Sequence, residues 1–336
     1  MRYYPFINKR KKTLSDWPFL LATISVSLLC WIAGYFYSMG FPLTVDDVIV
    51  PFVSRLWEWL TNRLFVYVTG LLLVVLIAFI LNRINDIEML IRERTRLVFM
   101  FFVLLISTNA GILPFSEKTI ILLCFVFMIH EIFNTYQLPE ATGKLFNVGV
   151  LIGLTGLFMP QALWYIPLVW IGMYQFYSLS LRSFLASLIG ILIIYWFVLA
   201  WCVWTHDFSM FVSFFSSLMD FELFFIFRSF RYDHISFVMI VILLFLSFFY
   251  IKMDAINNRV RVRQMLSFLI NMSIGSLVLI FLYGRDIDSF LAIFYLPVSV
   301  LLAYFFENMR YRFKFFLYYL VLTVCAFSFI LRIWSY

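Results

Sequence analysis

Charged residues are scarce in this chain. Asp, Glu, Lys and Arg make up 13% of its 336 residues, whereas soluble domains carry about a quarter. Hydrophobic residues account for 64%, and the polar stretches are too short to bury a core of their own. Apolar runs recur along nearly the whole length, and most are long enough to cross a hydrocarbon core about 30 Å thick. The composition excludes a soluble globular protein and predicts an all-α, polytopic transmembrane helical bundle.

Catalytic and cofactor motifs are also lacking. The chain contains no Gly-rich nucleotide-binding loop and no HExxH, GxSxG or CxxC motif. Its four cysteines lie inside apolar segments, without the spacing of metal ligands, and are interpreted as small hydrophobic residues. Basic residues are not gathered with stacking aromatics on a soluble surface, so nucleic acid is not an expected partner. No cofactor is identified, the expected partners are membrane lipids, and no protein partner is indicated.

The apolar runs predict about eleven spans within a single integral membrane domain, residues 1–336. The first run follows a basic N-terminal region and is too long for a signal-peptide core, so it is interpreted as a retained span. Spans five and six are separated only by Pro160 and are alternatively a re-entrant hairpin. The predicted spans are 18–39, 64–82, 97–113, 119–137, 143–159, 161–181, 183–204, 235–251, 265–283, 289–306 and 315–333.

The distribution of basic residues predicts the orientation of the bundle. Cytoplasmic loops of membrane proteins carry an excess of Lys and Arg. With eleven spans and a cytoplasmic N-terminus, 18 of the 25 Lys and Arg residues fall in inner segments and 7 in outer ones. This bias predicts that the N-terminus is inside and the C-terminus outside. The net charge of +7 is then explained by attraction to anionic lipid headgroups.

Two outer segments have the polar spacing of amphipathic helices that lie in the membrane interface. One follows Pro51, and the other lies in the loop after the seventh span. The polar positions are Ser54, Glu58, Thr61 and Asn62 in the first, and Ser209, Ser213, Ser216, Ser217 and Asp220 in the second.

The outer face also collects ionisable residues that have no anchoring role. The stretch GFPLTVDDVIVPF places Asp46 and Asp47 just after the first span, and Arg228, Arg231 and His234 precede the eighth. Arginine pairs with phosphate, and a carboxylate takes a proton from an acceptor hydroxyl or holds a divalent metal. Asp46 and Asp47 are therefore candidate catalytic residues, a divalent metal being compatible with them, and Arg228, Arg231 and His234 are candidate substrate contacts.

Each of these outer residues has a structural alternative. The spacing Thr-x-x-Asp that ends at Asp47 matches a capping box, which would make Asp47 a helix cap. Arg228 and Arg231 are alternatively plain interfacial residues. Asp286 and Asp288 lie in a short outer turn, where aspartate is favoured for turn chemistry.

Ionisable residues are nearly absent from the interiors of the predicted spans. Intramembrane charge marks ion and proton pathways, so its scarcity argues against a coupled transporter. His130 and Glu131, near the inner end of the fourth span, come closest. Gly149 and Gly153, within NVGVLIGLTG, have the small-xxx-small spacing that predicts close packing of two helices.

A basic loop with Arg92, Arg94 and Arg96 is followed by a helix leading into the Gly-spaced segment LFNVGVLIGLTGLFMPQALWYIPLVWIGMYQF and then by SLRSFLASLIGILIIYW. In this order, over residues 64–204, the chain resembles a family of uncharacterised polytopic inner-membrane proteins of Gram-negative bacteria. The resemblance implies a location in the cytoplasmic (inner) membrane of the cell envelope. That family has no established activity, so the resemblance implies none.

The acidic pair in the first outer loop, the interfacial helix after it and a further large outer loop form a second pattern. The arrangement is similar to that of polytopic glycosyltransferases that use polyprenyl-phosphate sugars. The similarity implies that Asp46 or Asp47 is the base or metal-positioning residue and that Arg228 or Arg231 contacts phosphate. The short loops and the lack of a separate soluble domain depart from that family.

Three functions remain open. The favoured one is a protein that acts on a lipid-linked (polyprenyl-phosphate) substrate at the outer face of the membrane in envelope biogenesis, either as a glycosyltransferase-like enzyme or as a binding protein. The second is a non-catalytic scaffold or subunit of an envelope complex. The third is a transporter of a lipid or a neutral solute.

Overall fold

The protein is all-helical in the parts that the structure, a computed structural model, describes. These are residues 14, 16–38, 62–206, 208–221, 233–254, 258–284, 287–309 and 311–334, and they contain no β-strand. The elements are α1 (Trp17–Ser38), α2 (Arg63–Glu88), α3 (Leu97–Ser107), α4 (Glu117–Phe133), α5 (Thr142–Phe158), a 3-10 helix (Pro160–Tyr165), α6 (Ile166–Gln175), α7 (Leu181–Thr205), α8 (Ser209–Leu218), α9 (Asp233–Asp254), α10 (Val260–Leu282), α11 (Ile287–Asn308) and α12 (Tyr311–Trp334).

Seven of the described helices are long and apolar enough to cross a membrane: α1, α2, α7, α9, α10, α11 and α12. The all-helical, membrane-compatible architecture predicted from the sequence is therefore confirmed. The other four predicted spans correspond to shorter pieces, α3, α4, α5 and the 3-10 helix with α6. The count of eleven spans stays a prediction.

The third predicted span shows why hydropathy overestimates helix length. It was expected to run over 97–113, but α3 ends at Ser107. The residues that follow are irregular yet buried, with Ile112 and Leu113 fully covered. Irregular backbone is tolerated inside a membrane protein where other parts of the protein enclose it, and average hydropathy does not distinguish that case from a continuous helix.

The centre of the bundle is α11, which packs against α3, α4, α9 and α10. Every residue from Ser289 to Phe306 is buried, as expected for a helix that is hydrophobic on all sides. By contrast, α7 buries only five of its residues. The apolar surface of α7 thus faces outward, whereas α11, which is buried along almost its whole length, forms the core.

Helices α5 and α7 cross at close range through their glycines. A Cβ atom at Gly149 would meet the backbone carbonyl of Ser187, and one at Gly190 would meet that of Phe146. Only a residue without a side chain permits this approach of two backbones. The packing role predicted for the glycine-spaced segment is confirmed.

Contacts between the helices define two ends of the bundle. At one end Glu88, the last residue of α2, pairs with Arg261 in the first turn of α10. At the other end Asn109, just after α3, donates a hydrogen bond to Asp288 in the first turn of α11. These are called below the Glu88 end and the Asp288 end.

Helix α8 forms where the second amphipathic segment was predicted. It packs on the 3-10 helix and on α7, and the Tyr283 hydroxyl donates a 2.6 Å hydrogen bond to the carbonyl of Leu218. Tyr283 follows α10 and stacks on Phe290 of α11, which puts α8 at the Asp288 end. The first amphipathic segment, after Pro51, lies outside the described residues.

Candidate functional site

The residues predicted to act on a substrate lie outside the part of the chain that the structure describes. This holds for Asp46, Asp47, Arg228 and Arg231. The backbone of His234 lies in the first turn of α9, but its side chain is not among those described. Their catalytic and substrate-binding roles, and the divalent metal at the aspartate pair, stay predictions.

Asp288, treated above as a turn residue, is instead part of a clamp between α11 and the chain after α3. Its Oδ1 accepts a 2.9 Å hydrogen bond from the Asn109 amide, and Asn109 Oδ1 accepts one of 3.1 Å from the backbone N–H of Gly111. A Cβ atom at Gly111 would collide with the Asp288 carboxylate. The geometry explains why glycine is needed there, and it gives the cluster a structural role.

A basic cavity is found at the opposite, Glu88 end. Its volume is about 540 Å³, comparable with known ligand pockets of about 300–1,000 Å³. It lies between the end of α2 and the start of α10. Its lining residues are Ile87, Glu88, Met89, Leu90, Arg92, Asn258, Arg259, Arg261 and Val262.

The local backbone creates this cavity. α2 ends because Met89 adopts a left-handed conformation, with φ of 50°, and the chain then turns away from the helix axis. α10 begins after Arg259, whose backbone is extended, and its first turn receives no side-chain cap. The two helix ends therefore leave a gap into which the side chains of both segments project.

The gap is organised by an ion pair. Glu88 Oε2 lies 2.6 Å from a terminal guanidinium nitrogen of Arg261, and the Glu88 side chain is 3% exposed against 48% for Arg261. The guanidinium carbon also lies 5.7 Å from the centre of the Tyr136 ring, a cation–π arrangement. Glu88 and Tyr136 thus hold Arg261 from two sides, while half of its side chain stays accessible.

His130, singled out in the sequence for its place near the inner end of a span, belongs to the surroundings of this pair. It is close enough to Glu88 to interact with it electrostatically. One ring nitrogen, Nε2, lies 3.1 Å from the amide nitrogen of Asn134. The other, Nδ1, is buried with no hydrogen-bond partner among the described residues.

Glu88 was missed in the sequence because the second span was predicted to stop at residue 82, six residues before α2 ends. A signal was present. Asn82, Asn85 and Glu88 recur at a spacing of three, which places polar groups on one side of the continuing helix. Asn85 and Glu88 are both buried, so the stripe points inward.

The charge of the lining suits an anion. Among the described lining residues, Arg92, Arg259 and Arg261 are accompanied by one carboxylate, that of Glu88, so these residues together carry a net charge of +2. Guanidinium groups donate several hydrogen bonds in a fixed geometry that matches phosphate. Within the described residues, no three His, Cys, Asp or Glu side chains come together as a metal site. The arrangement can therefore hold a phosphate group.

Comparison with protein-family models, curated proteins and solved structures gives no match for this chain.

Proposed function

We propose that this protein is a multi-pass inner-membrane protein that binds a phosphorylated lipid headgroup in the basic cavity at the Glu88 end. The carrying observation is the cavity itself, in which three arginines face one buried glutamate that holds Arg261 in place. A phosphate ester would take hydrogen bonds from the guanidinium groups, and its negative charge would offset their excess positive charge.

The neighbourhood of the cavity favours a lipid over a soluble phosphate compound. Ile87 and Met89 line it and are 54% and 61% exposed, so apolar surface lies next to the phosphate site. An acyl or prenyl chain would lie against that surface, and a soluble metabolite would gain nothing from it. Polyprenyl phosphates belong to this lipid class, so the ligand chemistry predicted from the sequence is retained.

The charge distribution supports an orientation for the site. The basic segments that surround it belong to the inner group of loops, which holds 18 of the 25 Lys and Arg residues. In the eleven-span arrangement with the N-terminus inside and the C-terminus outside, the Glu88 end faces the cytoplasm. The lipid would then be bound from the inner leaflet.

Native mass spectrometry of the protein released from phosphatidylcholine nanodiscs containing a minor share of phosphatidate tests the proposal. The informative pair is Arg259→Gln and Arg263→Gln. Both remove one positive charge near the start of α10, but only Arg259 lines the cavity. Arg259 is also preferable to Arg261, because its loss leaves the Glu88–Arg261 pair intact.

Arg263→Gln measures the loss of general attraction to an anionic surface, about 1 kcal/mol per basic residue. Arg259→Gln should lower phosphatidate enrichment by at least about threefold more, because it also removes hydrogen bonds to the phosphate. An equal loss of phosphatidate enrichment in the two variants would contradict a phosphate site in the cavity. Displacement of the lipid by millimolar glycerol 3-phosphate would reassign the cavity to a soluble ligand.

A further inference from the structure

One lining residue of the basic cavity, Asn258, is neutral and held in a fixed orientation. The Tyr304 hydroxyl donates a 2.6 Å hydrogen bond to Asp254 Oδ2. The Asn258 amide nitrogen donates to the Tyr304 oxygen at 2.6 Å and to the backbone carbonyl of Asp254 at 3.4 Å. Tyr304 is 2% exposed and belongs to the central helix α11, so the anchor of this network is rigid.

The donors and acceptors around Asn258 determine whether the nitrogen or the oxygen of its side-chain amide faces Tyr304. An ionised carboxylate only accepts hydrogen bonds, so the single hydroxyl hydrogen of Tyr304 goes to Asp254. The Tyr304 oxygen must then accept, and the Asn258 atom that faces it must be the NH₂ group. Both hydrogens of that group are committed. The remaining polar atom of the side chain is Oδ1, an acceptor with no hydrogen-bond partner among the described residues.

We propose that Asn258 makes the cavity selective for phosphate headgroups that carry a hydroxyl group, such as glycerol or a sugar. This inference rests on the phosphate-binding function proposed above. The arginines supply donors for the phosphate oxygens, and Asn258 Oδ1 supplies a fixed acceptor for a hydroxyl hydrogen. Ammonium-bearing headgroups also donate hydrogen bonds, but the net positive charge of the lining opposes them.

Two lipids of equal charge, one with and one without headgroup hydroxyls, measure what the hydroxyl group contributes to binding. Phosphatidylglycerol and phosphatidylpropanol are both singly charged phosphodiesters with three-carbon headgroups, and only the first carries free hydroxyls. The full-length protein in phosphatidylcholine nanodiscs would be given both in equal amounts, and native mass spectrometry would count each species bound. Wild type should prefer phosphatidylglycerol about threefold to tenfold, the range expected for one neutral hydrogen bond.

Three variants assign that preference to Asn258. Asn258→Leu should abolish the preference while phosphatidylpropanol stays bound, because the arginines remain. Tyr304→Phe should reduce it, because the amide loses its anchor and its orientation. Tyr250→Phe is the matched control: its hydroxyl donates to the carbonyl of Asn308 at the same end of the bundle, so the preference should be unchanged.

The outcomes separate this inference from the function on which it rests. Enrichment of both lipids over phosphatidylcholine without a preference in wild type would overturn the role of Asn258 and leave phosphate binding standing. A preference that persists in Asn258→Leu would also overturn it. If neither lipid is enriched over phosphatidylcholine, phosphate-lipid binding itself would be contradicted.

Discussion

Replacing Gly149 by alanine should destabilise the protein, and a second glycine of the same helix supplies the control. The added methyl group at Gly149 would run into the backbone of Ser187 on α7, whereas at Gly143 it would meet nothing within 4 Å. Both changes raise the helix propensity of α5. The difference between them therefore reports the close crossing of α5 and α7.

The magnitude follows from two opposing effects. Alanine is favoured over glycine in a helix interior by about 1 kcal/mol, while overpacking typically costs about 1–3 kcal/mol. At Gly149 the obstacle is backbone of the partner helix, which cannot rotate away as a side chain does, so the cost should lie near the upper value. We expect Gly149→Ala to lower the free energy of unfolding by about 2 kcal/mol and Gly143→Ala to leave it unchanged or slightly raised.

The cysteines provide the assay. All four are free and buried, so a thiol-reactive fluorophore labels the detergent-solubilised protein only as it unfolds. At roughly 2 °C per kcal/mol, the lower value for larger domains, Gly149→Ala should reduce the melting temperature by about 4 °C. A melting temperature for Gly149→Ala equal to or above that of Gly143→Ala would refute a tight crossing.

Two further predictions concern other local contacts. Gly111→Ala should lower the melting temperature, because its methyl group would collide with the Asp288 carboxylate; the double variant Gly111→Ala/Asp288→Ala should lose less than the sum of the single changes, and strict additivity would count against the clamp. Asn62→Ala should cost about 1 kcal/mol, because its Oδ1 accepts hydrogen bonds from the backbone N–H groups of Leu64 and Phe65 at the start of α2. Asn62→Asp, which keeps the acceptor, should stay close to wild type in the same thermal assay.

The sequence predicted the helical class well because its signal is local. A long apolar run has only one way to satisfy its backbone in a membrane, and the predicted start of α3 at Leu97 agrees with the structure. The lengths of the inner elements were less predictable. Thr108, Asn109 and Gly111, which directly follow the end of α3 at Ser107, are residue types that favour turns. The predicted span ran past them because Ile112 and Leu113 prolong the apolar run.

The candidate cavity was not predictable in the same way, because it depends on contacts between distant parts of the chain. Glu88 and Arg261 are far apart in the sequence and meet only because the end of α2 lies near the start of α10. The excess of basic residues, to which the arginines at the start of α10 belong, was explained by attraction to anionic lipid headgroups, which accounts for their charge but not for their position. The pairing of Arg261 with the buried Glu88 is seen only in the folded structure.

The position of these arginines, at the N-terminus of α10, is unfavourable for the stability of that helix by itself. The N-terminus of a helix carries partial positive charge, so cations there reduce its stability. Arg261 and Arg263 lie in its first turns, Arg259 directly precedes it, and no side chain caps it. Anchoring to anionic lipid needs only basic residues near the surface, which a loop provides as well.

An anion bound in the cavity would offset this loss of helix stability. It would accept hydrogen bonds from the arginines and lie close to the uncapped start of α10, where negative charge is stabilising. Glu88 supplies only part of that charge, because it is committed to Arg261. Binding of a further anion would stabilise the folded state by about 2.7 kcal/mol at a concentration one hundred times its Kd. The proposed phosphate binding would therefore account for the place of Arg259 and Arg261, at the start of a helix beside the buried Glu88, whereas surface anchoring would require only that they lie near the membrane surface.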